Sequence, residues 1–358
     1  MEPKSYRPVA LLSCVSKVFE RLVHEQLFNF CLVNGILPDE QYGFVKGRSA
    51  EWQLLSVLEK WHISLDNHHH VHSIFVDAAK AFDRVDHTIL LETLSSIGVG
   101  GISLQWFHSY LSNRLIQTKV EAHVSKAESI TSGVPQGSVL GPLLFLLHFK
   151  DIPAAVSAPT ELFADDTLLY RHDCRGAAVT PCCDITQNLQ QLSNWTTQKK
   201  VSINPSKSLE LVLGPDPSPN PVIFHDQPIP RVKSTKHLGV MLSASLNWHD
   251  YIPALIGSVS SSAALCKLLA YRHKLPSIVM RKLYIAFVRS KLEYCSAVWC
   301  GASISLLRKL ERVQIEVARA ISGIREPSTA LSVLNLPTLS WRRRIHCLSY
   351  FALAPGEQ

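Results

Sequence analysis

Apolar residues recur at helical spacing from Ser13 onward, at Val15, Val18, Phe19, Leu22, Val23, Leu27 and Phe30, and Gly35 is placed to end that helix. A second stripe, Leu54, Leu55, Leu58, Trp61 and Leu65, predicts another helix. The period then changes. Ser73-Ile74-Phe75-Val76 reads as a short buried strand ending in Asp77, and Asp86 is an N-cap for the helix after it. Residues 102–112 predict a helix, 115–124 a strand and 143–149 an apolar helix. From Leu162 to Tyr170 the chain is apolar except at its centre, where Ala164-Asp165-Asp166-Thr167 reads as a tight turn between two strands. Beyond it come a helix over 179–200, a strand over 209–213, a restart of strand structure over 237–242, and an almost wholly helical stretch over 249–321. Residues 214–230 hold six of the 20 prolines and read as a loop between domains.

Composition narrows the class. At 46% apolar and 18% charged, 358 residues make an ordinary globular chain of one large domain or a few modest ones. The net charge of +7 is compatible with a polyanionic partner without demanding one. Nine cysteines without a CxxC pair speak against a zinc ribbon or a disulfide framework and for a reducing compartment. No apolar run approaches the roughly 18 residues of a membrane span, and no signal-peptide core is present. The expectation is an intracellular protein of nucleus or cytoplasm, without a membrane partner.

Chemistry concentrates in three places. Adjacent carboxylates between apolar strands need cationic compensation, which divalent ions with hard oxygen ligands supply. Asp77, at the end of its strand, is the third carboxylate such a site needs. Between them lies Ser132-Gly133-Val134-Pro135-Gln136-Gly137-Ser138, where Gly133 and Gly137 allow close backbone approach and Gln136 offers donor and acceptor. Gln41-Tyr42-Gly43-Phe44-Val45-Lys46-Gly47-Arg48 places basic and aromatic residues in a glycine loop suited to phosphates. Two magnesium ions about 3.5–4 Å apart on Asp77, Asp165 and Asp166 would activate a hydroxyl and stabilise departing pyrophosphate; manganese would serve as well. Phe82, one short turn after Asp77, is placed to wall off the 2′ position of a sugar. His68-His69-His70-Val71-His72 reads as a solvated loop that binds metal only adventitiously.

These motifs, in this order, resemble the reverse transcriptases of non-LTR retrotransposons, of LINE type and nearest the jockey-like groups. The resemblance runs from Tyr6-Arg7-Pro8 to about Arg325. It implies an α+β right-hand polymerase, with fingers and palm around a small antiparallel sheet followed by a helical thumb. Partial fingers would occupy 1–72, the palm 73–245, the thumb 246–325 and a C-terminal tail 326–358. It implies Asp77, Asp165 and Asp166 as catalytic metal ligands with the Ala78 carbonyl beside them, and Lys207 of Asn204-Pro205-Ser206-Lys207 as general acid for pyrophosphate. Phe82 becomes the gate against ribonucleotides, and Gln136 with Gly137 positions nucleotide and template. Where the family often carries Arg, this chain has Val45, which passes triphosphate contact to Lys46 or Arg48. Lys150 stands where Asn is usual. RNA template, DNA primer and deoxynucleoside triphosphates are the implied partners. The chain resembles a piece of a longer element with clipped fingers, so the alternative is a catalytically impaired nucleic-acid-binding remnant.

Overall fold

The computed structural model describes residues 9–173, 185–214, 222–273 and 275–353. They fall into two compact units. The first comprises the described residues of Met1–Ser49 and Trp61–Val232, the second Ala50–Lys60 and those of Lys233–Gln358.

The first unit is built on a five-stranded sheet: β1 (His70–Val76), β2 (Thr160–Phe163), β3 (Asp166–Asp173), β4 (Leu209–Leu213) and β5 (Arg231–Val232), in spatial order β5-β4-β1-β3-β2. β1 is central and antiparallel to both neighbours; only the edge strand β5 runs parallel to its partner. The sheet is therefore antiparallel with one parallel edge. Ile74 on β1 faces Leu169 on β3 in register, and both join the core with Val76 and Leu162.

α1 (Cys14–Val33) and α2 (Ala50–Asp66) precede the sheet, and α3 (His87–Ser96) and α4 (Gly101–Leu111) follow β1. Asp86 caps α3 as expected, its carboxylate accepting from the amides of Thr88 and Ile89 at 3.0 and 3.1 Å. α5 (Gly141–Phe149) has no polar face apart from His148, and Leu143 through Phe149 are all buried. α6 (Ile185–Lys199) packs Leu189, Leu192 and Trp195 into the same core; the first residues of the helix expected over 179–200 lie outside the described residues.

Several expectations are corrected. Val15, Val18, Phe19 and Leu22 of α1 are exposed, whereas Leu27, Phe28 and Cys31 are buried. The inward stripe of the N-terminal half instead carries Glu20, 2% exposed, whose carboxylate accepts from the amides of Val139 and Leu140 at 2.7 and 3.2 Å. A carboxylate at the amino end of α5 satisfies orphan amides and meets the positive end of the helix dipole, so a charge lies where the periodicity places only apolar groups. Glu20→Ala is expected to lower stability by about 2 kcal/mol, read as a shift in urea midpoint, with Glu20→Gln costing less.

The histidine run is not a loop throughout: His70 and His72 are buried in β1, and His72 pairs with the buried Glu210 at 3.4 Å. The strand over 115–124 is instead two separate ribbons, Arg114–Ile116 with Glu128–Ile130 and Lys119–Val120 with His123–Val124. Within the proline-rich stretch, Ile223–Phe224 pairs with Gln227–Pro228, and Val222, Phe224 and Ile229 enter the core, so this part is packed structure; 215–221 lie outside the described residues.

In the second unit, β6 (Ser234–His237) and β7 (Val240–Ser243) form a hairpin. Helices α7 (Tyr251–His273), α8 (Ser277–Tyr284) and α9 (Ile304–Ser322) follow, α9 burying Leu306, Leu310, Gln314 and Val317 along one stripe. The stretch read as a C-terminal tail contains two helices, α10 (Pro327–Val333) and α11 (Leu339–Leu353). Arg342 of α11 pairs with Glu293, and Arg343 lies over the ring of Trp299 at 5.4 Å. Tyr251–Arg272 is long and apolar enough to cross a membrane by length and composition, contrary to the reading that no run approaches that limit. Its glycine and serines interrupt the apolar pattern without adding charge; Ile252, Leu255, Val259 and Ala263 are buried.

His148 offers a pH test. Burial first, then the Lys199 charge, pushes its imidazole down to about 4. The unfolded chain takes up this proton near pH 6.5 and the folded chain only near pH 4, so stability is intact above pH 6.5 and falls between those values. The loss amounts to about 3 kcal/mol at the lower end. His148→Gln is expected to flatten that part of a urea-midpoint-versus-pH curve.

Candidate active site

β1 carries its chain into Asp77, and β2 and β3 meet in a two-residue turn, Ala164-Asp165, closed by the pairing of Phe163 with Asp166. The β1–β3 register ends with Val76 opposite Thr167. One further step sets Asp77 across from Asp166, so all three carboxylates lie at one end of the central strands. Directly opposed residues in such a ladder have Cα atoms about 4.5–5.5 Å apart. Asp77 and Asp165 are half-buried and Asp166 is exposed.

The opposite side of Asp77 is held by the turn before β4. Its carbonyl accepts from the Asn204 amide at 2.9 Å, and its amide donates to the Ser208 hydroxyl at 3.2 Å. The Ser208 hydroxyl in turn donates to the Asn204 carbonyl at 2.9 Å. Ala78 bridges Ile203, while the ladder bonds run through Asp77 and Ala79. In an antiparallel pair this turns the Ala78 carbonyl away from residues 202–204 and toward the Asp166 side. Lys207 is exposed on the same turn.

Phe82 is partly buried, stacked on Phe145 with centroids 4.1 Å apart and met edge-on by Phe44 at 6.2 Å. Its ring is thereby fixed between the core and the glycine loop. Gln136 donates from Nε2 to Asp83 at 2.8 Å, and its carbonyl accepts from the Ala10 amide at 2.7 Å. Gly133 and Gly137 do permit close approach, but to this chain's own backbone: a Cβ on either would lie 2.8 Å from the Asp83 carbonyl oxygen or 2.9 Å from that of Ala10. Arg48 is committed locally. Its guanidinium donates to the carbonyls of Pro38, Asp39 and Gln41 and pairs with Asp39 at 2.8 Å. Lys46 is exposed, and Val45 is buried. Lys150 pairs with Asp151 at 2.5 Å, beside Lys199 at 3.0 Å, so the residue where Asn is usual sits in an ion cluster.

The donors at the strand ends are oxygens only, three carboxylates and one carbonyl, which fits magnesium or manganese rather than a soft metal. Among the described residues, no group of three His, Cys, Asp or Glu side chains is placed to hold a metal ion as it stands. The strand register alone brings Asp77, Asp165 and Asp166 to one end of the sheet.

The sequence model of the family described as "Reverse transcriptase (RNA-dependent DNA polymerase)" matches residues 2–242. The chain belongs to the reverse transcriptase family. A relative described as the probable RNA-directed DNA polymerase from transposon X-element of Drosophila melanogaster is 31% identical over 331 residues, covering 90% of this chain and 36% of its own length. The RNA-directed DNA polymerase from mobile element jockey of Drosophila funebris is 29% identical, over 90% of this chain and 36% of its own. Both are mobile-element proteins, in keeping with a non-LTR retrotransposon origin. The chain spans about a third of the length of these relatives. Among solved structures, apo telomerase from Candida tropicalis aligns over 94% of this chain and 60% of its own, with a TM-score of 0.46 at 11% identity.

For a reverse transcriptase chain, the carboxylates and loops were legible as motifs, but their supports were not. Ser208 and Asp83 carry hydrogen bonds that hold Asp77 and Gln136 in place, and neither has a signal beyond being polar beside a motif. Gln41, the first residue of the glycine loop, is 2% exposed, and its side-chain oxygen accepts from the amides of Gly43 at 2.8 Å and Ala164 at 2.9 Å. A buried amide within an otherwise aromatic and glycine-rich segment was the available clue.

Proposed function

We propose that this chain is the polymerase portion of a non-LTR retrotransposon protein and copies RNA into DNA by adding deoxynucleotides to a primer 3′-OH. The observation that carries this reading is the sheet register, which continues from Val76 opposite Thr167 to put Asp77 at the level of Asp166, the residue after Asp165, at one end of the central strands. Asp77, Asp165, Asp166 and the Ala78 carbonyl would hold two magnesium ions. Bound there, the ions supply a lowered hydroxyl pKa and neutralisation of the pyrophosphate charge.

The protein's own groups do the rest. The Phe82 ring, held by Phe145, excludes a 2′-hydroxyl from the nucleotide position. Gln136, anchored by Asp83 and Ala10, keeps its loop against the residues following Asp77. Lys207, on the turn bonded to Asp77, delivers a proton to pyrophosphate, and Lys46 meets the triphosphate. Arg48 serves by shaping the loop that presents Lys46. Exposed basic residues of the second unit, Lys282 and Lys291 among them, suit the backbone of a primer–template hybrid. Hybrid binding should then weaken with salt with a log–log slope of several units. The working compartment is the nucleus or cytoplasm, where template and nucleotides are found.

Primer extension on an RNA template, wild type beside Asp165→Ala, tests the reading. Templated incorporation by wild type alone supports it. Incorporation by both would remove the site, and salt-dependent hybrid binding without incorporation by either would favour the non-catalytic remnant. Phe82→Ala is expected to lower deoxynucleotide-over-ribonucleotide selectivity by about tenfold or more in the same assay.

A further inference from the structure

The acidic turn is held from behind by the glycine loop. Glu40-Gln41-Tyr42 runs beside β2 as a short parallel addition. The Leu162 amide donates to the Glu40 carbonyl at 2.9 Å, and the Tyr42 amide donates to the Leu162 carbonyl at 2.8 Å. At the end of this addition, the Gln41 side-chain oxygen receives two amides at once, Gly43 of its own loop and Ala164 of the acidic turn. Ala164 is buried and sits at φ +56, in the left-handed region that a side chain disfavours. Such a residue persists only where its surroundings over-determine it. The chains meet here so closely that a Cβ on Gly43 would lie 2.4 Å from the Ala164 nitrogen.

We propose that Gln41 is a positioning residue for the site: its side-chain oxygen fixes Ala164, and through it the direction in which Asp165 and Asp166 leave the sheet. One buried acceptor thus joins the loop carrying Lys46 to the turn carrying two carboxylates. The inference rests on those carboxylates being metal ligands, and its test separates the two ideas.

Gln41→Met keeps the length of the side chain and removes the acceptor; Gln41→Glu keeps an oxygen for both amides. Each is made in the full chain, beside Asp165→Ala, with folding checked by far-UV circular dichroism. Amide exchange at Gly43 and Ala164 is measured without metal, and manganese binding by titration. The expected result is exchange at both amides about tenfold or more faster in Gln41→Met, protection retained in Gln41→Glu, and manganese affinity about tenfold weaker in Gln41→Met. Hybrid affinity should stay within about threefold of wild type in all three variants, a split that general loosening of the fold would not give. Unchanged protection of Ala164 in folded Gln41→Met, or unchanged manganese affinity despite lost protection, overturns the positioning role. Should Gln41→Met fail to fold, Gln41→Glu decides: loss of Ala164 protection there overturns the role, and retention supports it. Manganese affinity unaffected by Asp165→Ala overturns the metal-ligand reading instead, while the exchange data still decide whether Gln41 holds the turn.

Discussion

Asp77→Asn is expected to lower single-nucleotide incorporation at least about a thousandfold while leaving affinity for an RNA–DNA hybrid within about threefold. The asymmetry follows from where the residue sits. Its backbone is tied to Asn204 and Ser208 on one side and continues β1 on the other, and an amide side chain disturbs none of those bonds. Only the anionic oxygen is lost. Asn remains an oxygen donor but brings no charge to balance a divalent ion opposite Asp166. A quenched-flow rate at saturating hybrid, set beside a filter-binding affinity, reads both quantities. Equal losses in the two would assign Asp77 to the binding surface rather than to the chemistry.

Gly43→Ala is the second large effect. The added methyl would lie 2.4 Å from the Ala164 nitrogen and 3.0 Å from the Phe163 carbonyl carbon, both backbone atoms that no rotamer change can move. Either the glycine loop leaves the hairpin or the acidic turn shifts. The expected cost is about 3 kcal/mol in the urea midpoint, together with loss of incorporation of about a hundredfold or more. Gly47→Ala is the internal comparison. It also places a side chain at positive φ, +84, but nothing lies within 4 Å of the new Cβ. Its cost should stay near the roughly 1 kcal/mol of backbone strain alone. A Gly43→Ala protein as stable and as active as Gly47→Ala would contradict the close approach.

The parts of this protein that could be read in the sequence are those where one local rule dominates. Leu143–Phe149 has no polar face, so it had to be buried, and it is. Asp86 announces a helix start by its own side chain. Asp77 and Asp165-Asp166 stand out because charge beside buried strands demands a reason. What escaped depends on partners distant in sequence. Glu20 is an inward charge only because the amino end of α5, more than a hundred residues away, presents Val139 and Leu140 to it. His72 reads as solvated until Glu210 is found beside it in the sheet. The last helix carries so mixed a pattern, Trp341-Arg342-Arg343-Arg344-Ile345, that only Glu293 and Trp299 explain Arg342 and Arg343. Gln41 belongs to the same class: its role lies in a hydrogen bond to Ala164, on the far side of the sheet's topology.

On the proposed function, Asp77, Asp165 and Asp166 act together, as one metal-dependent site, in copying RNA into DNA. Single-turnover incorporation of one deoxynucleotide opposite an RNA template, followed across a magnesium titration in wild type and in each aspartate-to-asparagine variant, tests it most directly. The wild-type rate is expected to rise with magnesium and vanish without it, and the three variants to stay near background at every concentration. A wild-type rate and magnesium dependence preserved in any one of the three would contradict it.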